Sequence, residues 1–361
     1  MRQIRIRLFI VTLTLIAIGT VMIYSTSSIY AFESYGDSAY FLKRHIIFLV
    51  LGSLLAIAFM SVDYAKFRKF IKPFLLLSIF LLVAVFIPGI GKAAGGARRW
   101  ISLGPISFQP SEIAKLALVF YTADVLARKQ SDIGNFLHGF LPLMLILSFC
   151  VLLILLEPDL GTAVALTVLI LILAFVAGVE IKHLFYVIMP GIVAFLGLIL
   201  IKPYRIKRVT AFLNPWKDPR GSGFQIIQSF IALGSGGLLG VGLGHSRQKL
   251  FYLPEAHTDF IFSVIGEELG LLGTLGVVAL FVTFMWLGFR IAYSARDLYG
   301  QFLAFGLVTM IILQVLINIA AVTGTIPTKG LPLPFISYGG TSLVYSMASV
   351  GILLNIARHR R

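Results

Sequence analysis

Apolar runs long enough to cross a lipid bilayer follow one another along almost the whole of this 361-residue chain. A helical span needs about 20 predominantly apolar residues. Hydrophobic residues make up 58% of the sequence and charged residues only 12%, a balance typical of chains that fold in lipid. The sequence therefore predicts an all-α polytopic membrane protein without a large soluble domain.

Ten transmembrane helices are predicted, and the chain 1–361 is interpreted as one integral membrane domain. The spans are 8–30, 45–61, 74–89, 111–127, 139–156, 161–179, 184–201, 258–288, 300–322 and 337–356. The interval 202–257 is predicted to form one long extracytoplasmic loop. In the eighth span Thr258 is the predicted N-cap. Small residues are predicted to line one face of this span: Ser263, Gly266, Gly270 and Gly273. Another helix or a lipid tail can approach such a face closely.

Positive charge orients these spans. With both ends of the chain inside, fifteen Lys and Arg residues, Arg360 and Arg361 among them, fall on the inner side and only six in short outer loops, as the positive-inside rule requires. The outer 202–257 interval nevertheless holds eight more. A basic loop on the disfavoured side indicates an anionic ligand. Nucleic acid is not indicated, because the charge is split between two faces and lacks an aromatic–basic module.

Ionisable residues concentrate at the predicted outer helix ends. Glu112 and Lys115 lie three residues apart on one face of the fourth span, with Ser111 as the predicted N-cap. An internal ion pair accounts for this spacing, although ionisable groups inside a span usually mark a site or a pairing partner. Asp159 follows Pro158 at the next outer turn, and Lys115 is its candidate partner.

Two Gly-rich segments interrupt the helical pattern. The segment 325–342, which contains Lys329 and Ser337, is predicted to be ordered and non-helical, which is tolerated at membrane depth only against protein or water. The segment 234–244 resembles a phosphate loop but lacks its register and its preceding strand, so a close-packed re-entrant turn is expected. No metal site is predicted, because His257 has no second ligand at metal spacing and Cys150 is the single cysteine.

Four motifs carry a resemblance to a known family: RRWISLGPISFQPSEIAKLAL, EPDLGT, SRQKLFYLPEAHTDFIFSVIGEELGLLG and GTIPTKGLPLPFISYGGTSL. Over nearly the whole chain they resemble the SEDS (shape, elongation, division and sporulation) proteins, and the division type more than the elongation type. The resemblance implies a peptidoglycan glycosyltransferase that polymerises lipid II on the outer face of the bacterial cytoplasmic membrane. It also implies cytoplasmic chain ends, a class B penicillin-binding protein as partner and other divisome proteins.

The resemblance also implies roles for individual residues. Asp259 matches the essential acid of the HTDF motif, whereas Glu157 stands where the family often has Gln. An exposed Asp has a pKa of about 3.9, so Asp259 is expected to accept the proton of the acceptor GlcNAc 4-hydroxyl while cations stabilise the leaving pyrophosphate. The candidate substrate-binding residues are Arg99, Trp100, Glu112, Lys115, Asp159, Arg205, Arg208, His257, Lys329 and Ser337. No cofactor is specified, and a requirement for Mg²⁺ or Mn²⁺ is left open.

Other functions are compatible with the same polar groups. A lipid II flippase would place them near the bilayer midplane, where Glu267 and Glu268 are expected to form a proton or cation path or to pair with Lys115. An elongation-type polymerase is the alternative within the family, and a noncatalytic scaffold leaves the outer charges unexplained. Convergence of Asp259, Lys115 and Asp159 on one outer cavity would favour the enzyme.

Overall fold

The computed structural model describes residues 1–94, 97–104, 106–250 and 252–359, so Arg360 and Arg361 lie outside the described residues. Within them the chain forms twelve α-helices: α1 (Arg2–Tyr35), α2 (Tyr40–Ser61), α3 (Ile71–Ala84), α4 (Pro110–Arg128), α5 (Leu141–Leu156), α6 (Leu160–Val176), α7 (Ile181–Ile201), α8 (Pro203–Leu213), α9 (Phe224–Ser235), α10 (Ile261–Tyr293), α11 (Leu298–Val322) and α12 (Gly340–Ile356). Three strands form one small sheet: β1 (Gly91–Ala94), β2 (Ala97–Leu103) and β3 (Ile106–Phe108).

Each of the ten predicted spans coincides with one of these helices. Six helical stretches are long and apolar enough to cross a membrane by length and composition: 2–35, 40–61, 136–156, 181–201, 261–293 and 298–322. Large apolar side chains such as Leu54, Phe80 and Val193 stay exposed, as a surface that faces lipid requires. The predicted all-α polytopic fold is therefore confirmed. Helix α11 lies at its centre and packs against α4, α6, α10 and α12.

Two regions contain secondary structure that the sequence reasoning missed. The interval 202–257, predicted as a loop, contains α8 and α9. Between α3 and α4 the chain forms an antiparallel sheet in the order β1-β2-β3. Short runs of aromatic and β-branched residues on either side of Gly104 are a hairpin signal that could have identified it.

Helix α10 is broken at Gly270, whose backbone angles (φ 67°, ψ −163°) lie in a region that only glycine readily adopts. The break frees peptide groups, and the Gly-rich turn after α9 pairs with them. Four hydrogen bonds join the two segments: Val241 N–H to Glu267 O (3.0 Å), Gly242 N–H to Glu268 O (3.0 Å), Leu271 N–H to Gly237 O (2.9 Å) and Leu272 N–H to Leu238 O (3.2 Å). The predicted close packing of the 234–244 turn is confirmed.

The predicted small-residue face on α10 is interrupted, because the helix breaks at Gly270. The predicted close approach of another helix is confirmed at its upper end, where α9 packs against Ser263 and Gly266. A Cβ atom added at Gly266 would lie 2.6 Å from the Leu233 side chain of α9, and one at Gly270 would lie 2.6 Å from Leu238 O.

Two predicted helix caps are also wrong. Helix α10 begins at Ile261, and the Thr258 hydroxyl instead donates to the backbone (3.2 Å) and carboxylate (3.0 Å) of Glu255. Helix α4 begins with Pro110 at its first position, where the fixed φ of proline suits a helix start. This places Ser111 inside the helix, where its buried hydroxyl finds no hydrogen-bond partner among the described residues.

The break makes a specific prediction for Gly270→Ala. Alanine is disfavoured at the positive φ of this residue, and the added Cβ atom would clash with the backbone of the 238–240 turn. The free energy of unfolding should therefore fall by at least about 1–3 kcal/mol. Thermal unfolding in detergent measures this as a lower midpoint. Gly276→Ala in the same helix, with no atom within 4 Å of the added Cβ, is the control, and equal midpoints for the two variants would contradict the prediction.

Candidate active site

Asp259 lies two residues before α10, in the segment that returns from α9. Its backbone carbonyl accepts a hydrogen bond from Asn318 Nδ2 (2.8 Å), which also donates to Leu331 O (2.8 Å). Two more bonds join the same segments: Ser337 Oγ to Thr258 O (2.5 Å) and Tyr338 N–H to His257 O (2.9 Å). Helix α11 therefore holds the 257–259 and 331–338 segments together.

The Asp259 carboxyl group is half-buried and packs against the loop after α11. A Cβ atom added at Gly330 would lie only 2.9 Å from Asp259 Oδ2. Desolvation and then the nearby Glu255 carboxylate raise the pKa of Asp259 to about 7, while Arg208 opposes this shift. The expectation of an exposed Asp with an ordinary pKa is wrong, and Asp259 changes protonation near neutral pH.

Lys329 directly precedes Gly330 in the loop that packs against the Asp259 carboxylate, and its side chain lies against the start of α6. Its Cε and Nζ atoms occupy the position that a Cβ atom on Gly161 would take, so glycine is needed for the lysine to cross the start of α6. Desolvation lowers the pKa of Lys329 to about 8, Asp159 opposes this, and Lys115, Arg99 and Arg208 add to it. These effects on Lys329 indicate that cations from α4, β2 and α8 lie at the same end of the bundle as the loop after α11.

The predicted Glu112–Lys115 ion pair is confirmed. Lys115 Nζ lies 2.8 Å from Glu112 Oε1 and donates to Gln314 Oε1 (3.0 Å), and both charged side chains are buried. Lys115 is not the partner of Asp159, and that prediction is wrong. Asp159 instead caps α6 through Thr162, whose N–H (3.0 Å) and hydroxyl (2.9 Å) both donate to it.

The small sheet positions Arg99 and Trp100 at the same end of the molecule. Arg99 Nε donates to the backbone carbonyl of Glu157 (3.0 Å), and its Nη2 donates to that of Pro158. The guanidinium therefore ties β2 to the turn between α5 and α6. Trp100 follows on the same strand and is half-buried.

Glu157 is buried, and neither of its carboxyl oxygens finds a hydrogen-bond partner among the described residues. Desolvation and then Asp159 raise its pKa to about 8, with Arg99 opposing. The group is therefore mainly neutral at pH 7. A neutral carboxyl needs no cation as its partner.

The profile of the family described as Cell cycle protein, which comprises FtsW, RodA and SpoVE, matches residues 6–361. The chain belongs to the FtsW/RodA/SpoVE family. The resemblance to SEDS proteins is thereby confirmed, and the protein is a multi-pass membrane protein.

Similar proteins carry several names within this family. The chain is 48% identical over 354 residues to stage V sporulation protein E of Bacillus subtilis strain 168, covering 98% of this chain and 97% of that protein. It is 46% identical over 346 residues to the probable peptidoglycan glycosyltransferase FtsW of Geobacter sp. strain M18, covering 95% and 94%. A relative named for sporulation and one named FtsW are thus almost equally similar in sequence to this chain.

Two solved structures share the fold. One is a chain from a peptidoglycan synthase complex that coordinates polymerization and crosslinking, with a TM-score of 0.79, 30% identity, and coverage of 97% of this chain and 96% of that one. The other is the rod shape determining protein RodA of Thermus thermophilus, with a TM-score of 0.72, 28% identity, and coverage of 98% and 96%.

In this family member the two predicted loop arginines lie in different surroundings. Arg205 is buried and donates to Leu198 O (2.7 Å) and to the Tyr204 hydroxyl (3.0 Å), so it holds α8 against the end of α7. Arg208 lies farther along α8 with its side chain exposed, and it affects the pKa values of both Asp259 and Lys329. The structure therefore brings Arg208 to the site and leaves Arg205 in a supporting position.

His257 and Ser337 line the site through packing and backbone contacts. The His257 ring lies among Tyr30, Phe41 and Tyr338, with ring centroids 5.9, 4.5 and 5.8 Å away. The Ser337 hydroxyl accepts from Leu333 N–H (2.8 Å) in addition to its bond with the 258 carbonyl. Their roles in substrate binding stay predictions.

Glu267 and Glu268 do not pair with Lys115, so the second of the two roles considered for them is wrong. Glu268 Oε1 lies 2.8 Å from Lys249 Nζ, with both side chains buried, and Ser25 of α1 donates to both Glu268 oxygens at 2.8 Å. Glu267 accepts from Ser246 Oγ and from Arg247 N–H. Both carboxylates are occupied in holding the 246–249 loop to α10 and α1.

Sequence reasoning missed the polar groups that support the site. Gln314 and Asn318 lie four residues apart on the apolar helix α11, and Gln314 Nε2 donates to Pro332 O (2.8 Å). A polar pair at this spacing inside a span is itself a signal that could have identified them. Gly161 and Gly330 show no such signal, because their role depends on contacts between distant segments.

The raised pKa of Asp259 makes a prediction for stability. An unfolded Asp titrates near 3.9 and the folded one near 7, so the native state binds more protons between these values. The free energy of unfolding contributed by this group therefore falls as pH rises from about 4 to 7. Asp259→Asn, which lacks this effect, should unfold at a higher temperature than the unmodified protein at pH 8 and at nearly the same temperature at pH 4.

The matched control is Glu33→Gln, which removes an exposed carboxylate from α1. Its unfolding midpoint, measured in the same detergent, should follow that of the unmodified protein at both pH values. A pH-independent difference between Asp259→Asn and the unmodified protein would refute the assignment to Asp259 ionisation.

Proposed function

We propose that this protein is a peptidoglycan glycosyltransferase that polymerises lipid II into glycan strands on the outer face of the bacterial cytoplasmic membrane. The observation that carries the proposal is the packing of Asp259 against the loop that holds Lys329, with Arg208 influencing the pKa values of both groups. An acid that titrates near neutral pH at an end of the bundle that also carries cations suits proton transfer coupled to the departure of an anion. Relatives named peptidoglycan glycosyltransferase FtsW support the same activity.

Asp259 acts as the general base in this proposal. Its carboxylate takes the proton of the acceptor GlcNAc 4-hydroxyl as that oxygen attacks C1 of the donor MurNAc. The new C1–O bond forms on the face opposite the pyrophosphate, so the configuration at C1 inverts. The bond between C1 and the pyrophosphate oxygen breaks, and undecaprenyl pyrophosphate leaves with the electron pair.

Cations near Asp259 stabilise the leaving pyrophosphate. Lys329 and Arg208 are the main candidates, because Lys329 lies in the loop that packs against Asp259 and Arg208 influences the pKa values of both Asp259 and Lys329. Arg99 already binds two backbone carbonyls of the 157–158 turn and is assigned a positioning role. The described residues contain no group of three or more His, Cys, Asp or Glu side chains that could hold a metal ion. A requirement for Mg²⁺ or Mn²⁺ stays an open prediction.

The proposed orientation places both ends of the chain in the cytoplasm, in accord with the positive charge of the inner loops. We assign lipid II and membrane lipid as ligands, and a class B penicillin-binding protein with other divisome proteins as partners. The similarity to a chain of a peptidoglycan synthase complex supports a partner enzyme. The FtsW names of several relatives support a role in cell division.

The contacts of Glu267 and Glu268 favour polymerisation over transport. Both side chains are engaged with the 246–249 loop, which removes them from a proton path through the membrane. Liposomes that contain the protein and carry lipid II only in the inner leaflet test this directly. Appearance of lipid II outside without glycan strands would support a flippase and contradict the proposal.

Polymerisation should depend on pH through two groups. The base must be ionised, so kcat/KM should fall below about pH 7 as Asp259 gains its proton. The cation must be protonated, so kcat/KM should fall again above about pH 8 as Lys329 loses its proton. The profile measured with lipid II and the partner transpeptidase should therefore be bell-shaped.

Two variants test whether Asp259 causes the loss of activity on the acidic side of that profile. Asp259→Asn should reduce turnover by at least about 100-fold, the usual contribution of a general base. Glu255→Gln removes the neighbouring charge that raises the pKa of Asp259, so it should keep turnover and shift the acidic side to lower pH. Normal glycan strands from Asp259→Asn would remove Asp259 from the mechanism.

Gly161→Ala tests the position of Lys329 without removing its charge. The added methyl group would displace the end of a flexible lysine side chain, so the fold should survive while turnover falls by about 10-fold or more. Glycan strand formation and the unfolding midpoint are measured together. Gly276→Ala, which meets no neighbour, is the control, and unchanged turnover in Gly161→Ala would show that the lysine position is unimportant.

A further inference from the structure

A second polar site lies at the end of the bundle opposite Asp259. It is a pocket lined by Arg68, Lys69, Lys72, Asp124 and Arg128. Helix α4 connects the two ends, because Asp124 follows Glu112 by twelve residues, or about 18 Å along the axis. No residue of this pocket takes part in the proposed glycosyl transfer.

Asp124 organises the pocket. Its carboxylate is buried, with Oδ1 2.9 Å from Arg68 Nε and Oδ2 2.7 Å from Arg128 Nη2. These guanidiniums come from separate elements, the 3₁₀ turn before α3 and the last turn of α4. The Arg68 guanidinium also lies 5.1 Å from the centre of the Tyr299 ring. The pocket is therefore an ordered arrangement rather than a scatter of loop charges.

Positive charge in the pocket exceeds what its acid can neutralise. Four cations line it with one carboxylate, which leaves three positive charges in excess. Lys69 and Lys72 are exposed and form no ion pair with any described residue. The positive-inside rule accounts for basic loops, but it does not require loops from two places in the chain to meet around a shared buried acid.

Apolar side chains continue from the pocket along α3. Phe70, beside Lys69, is 57% exposed, and Leu76 and Leu77 of α3 are 66% and 51% exposed. An anionic headgroup among the cations would thus have its acyl chains against an open apolar surface. Basic pockets between transmembrane helices near the membrane surface suit phosphate-bearing lipids, and guanidinium groups suit phosphate oxygens.

We propose that this pocket binds the phosphate headgroup of an anionic phospholipid, with the acyl chains along the exposed face of α3. In the proposed orientation the lipid belongs to the cytoplasmic leaflet. The site is independent of the chemistry at Asp259, so failure of one assignment leaves the other standing.

The test uses the purified full-length chain in phosphatidylcholine nanodiscs that contain a small fraction of photoactivatable phosphatidylglycerol. Cross-linked peptides should map to 68–76 and 124–128, and titration should give a saturable affinity. The double variant Lys69→Gln, Lys72→Gln removes the two cations that are not paired with Asp124. Its affinity should fall by about tenfold or more. The control Lys66→Gln, Lys182→Gln removes two exposed cations that do not line the pocket and should change affinity less than twofold.

Competition separates the sources of the anion. Inorganic phosphate at millimolar concentration should leave the cross-link in place, whereas excess unlabelled phosphatidylglycerol should abolish it. Displacement by inorganic phosphate would assign the pocket to a soluble phosphate and overturn the lipid proposal. Displacement by poly-glutamate alone would assign it to an acidic protein segment and overturn the proposal as well. Equal loss in the two double variants would show only diffuse surface attraction, which also contradicts it.

Discussion

Peptide groups that leave helical geometry within a lipid-embedded protein must find partners in the protein, because lipid offers none. At the Asp259 end this requirement is met by side chains of one central helix and by one broken helix. Asn318 and Gln314 of α11 bind backbone carbonyls on both sides of the site. The break at Gly270 exchanges hydrogen bonds with the 237–242 turn. The positions of Asp259 and Lys329 depend on these amide and backbone contacts.

This support also explains the electrostatics of the site. Asp259 and Lys329 lie on segments that are packed closely enough to desolvate both side chains. The pKa of Asp259 therefore rises to about 7, and the pKa of Lys329 falls to about 8. The two values approach each other from reference values of about 3.9 and 10.4. Opposite shifts of this kind place both titrations near neutral pH, where a carboxylate with a raised pKa is a stronger proton acceptor.

The sequence predicted those features of the structure that depend on residues close together in the chain. The apolar runs identified ten helices, and the three-residue spacing identified the Glu112–Lys115 pair. The resemblance pointed to Asp259. The break at Gly270, the partner of Glu268 and the crossing of Lys329 over Gly161 depend on residues that are distant in sequence, which one sequence does not reveal. The misassigned caps at Thr258 and Ser111 show the same limit, since a nearby turn or proline competed with the cap.

Buried charges at both ends of α4 have a common consequence for the fold. Most of this helix is buried, with the Glu112–Lys115 pair near its start and Asp124 bound to two arginines near its end. Ion pairs taken out of water add little net stability, but breaking one leaves an uncompensated charge. The Glu112–Lys115 and Asp124–Arg128 pairs lie within α4, but sliding α4 by one turn would break the Lys115–Gln314 hydrogen bond at one end and the Arg68–Asp124 ion pair at the other. The contacts at its two ends therefore favour one position of α4 relative to α11 and the 64–70 turn, and that position sets Lys115 against Gln314, which itself binds Pro332 O in the loop after α11.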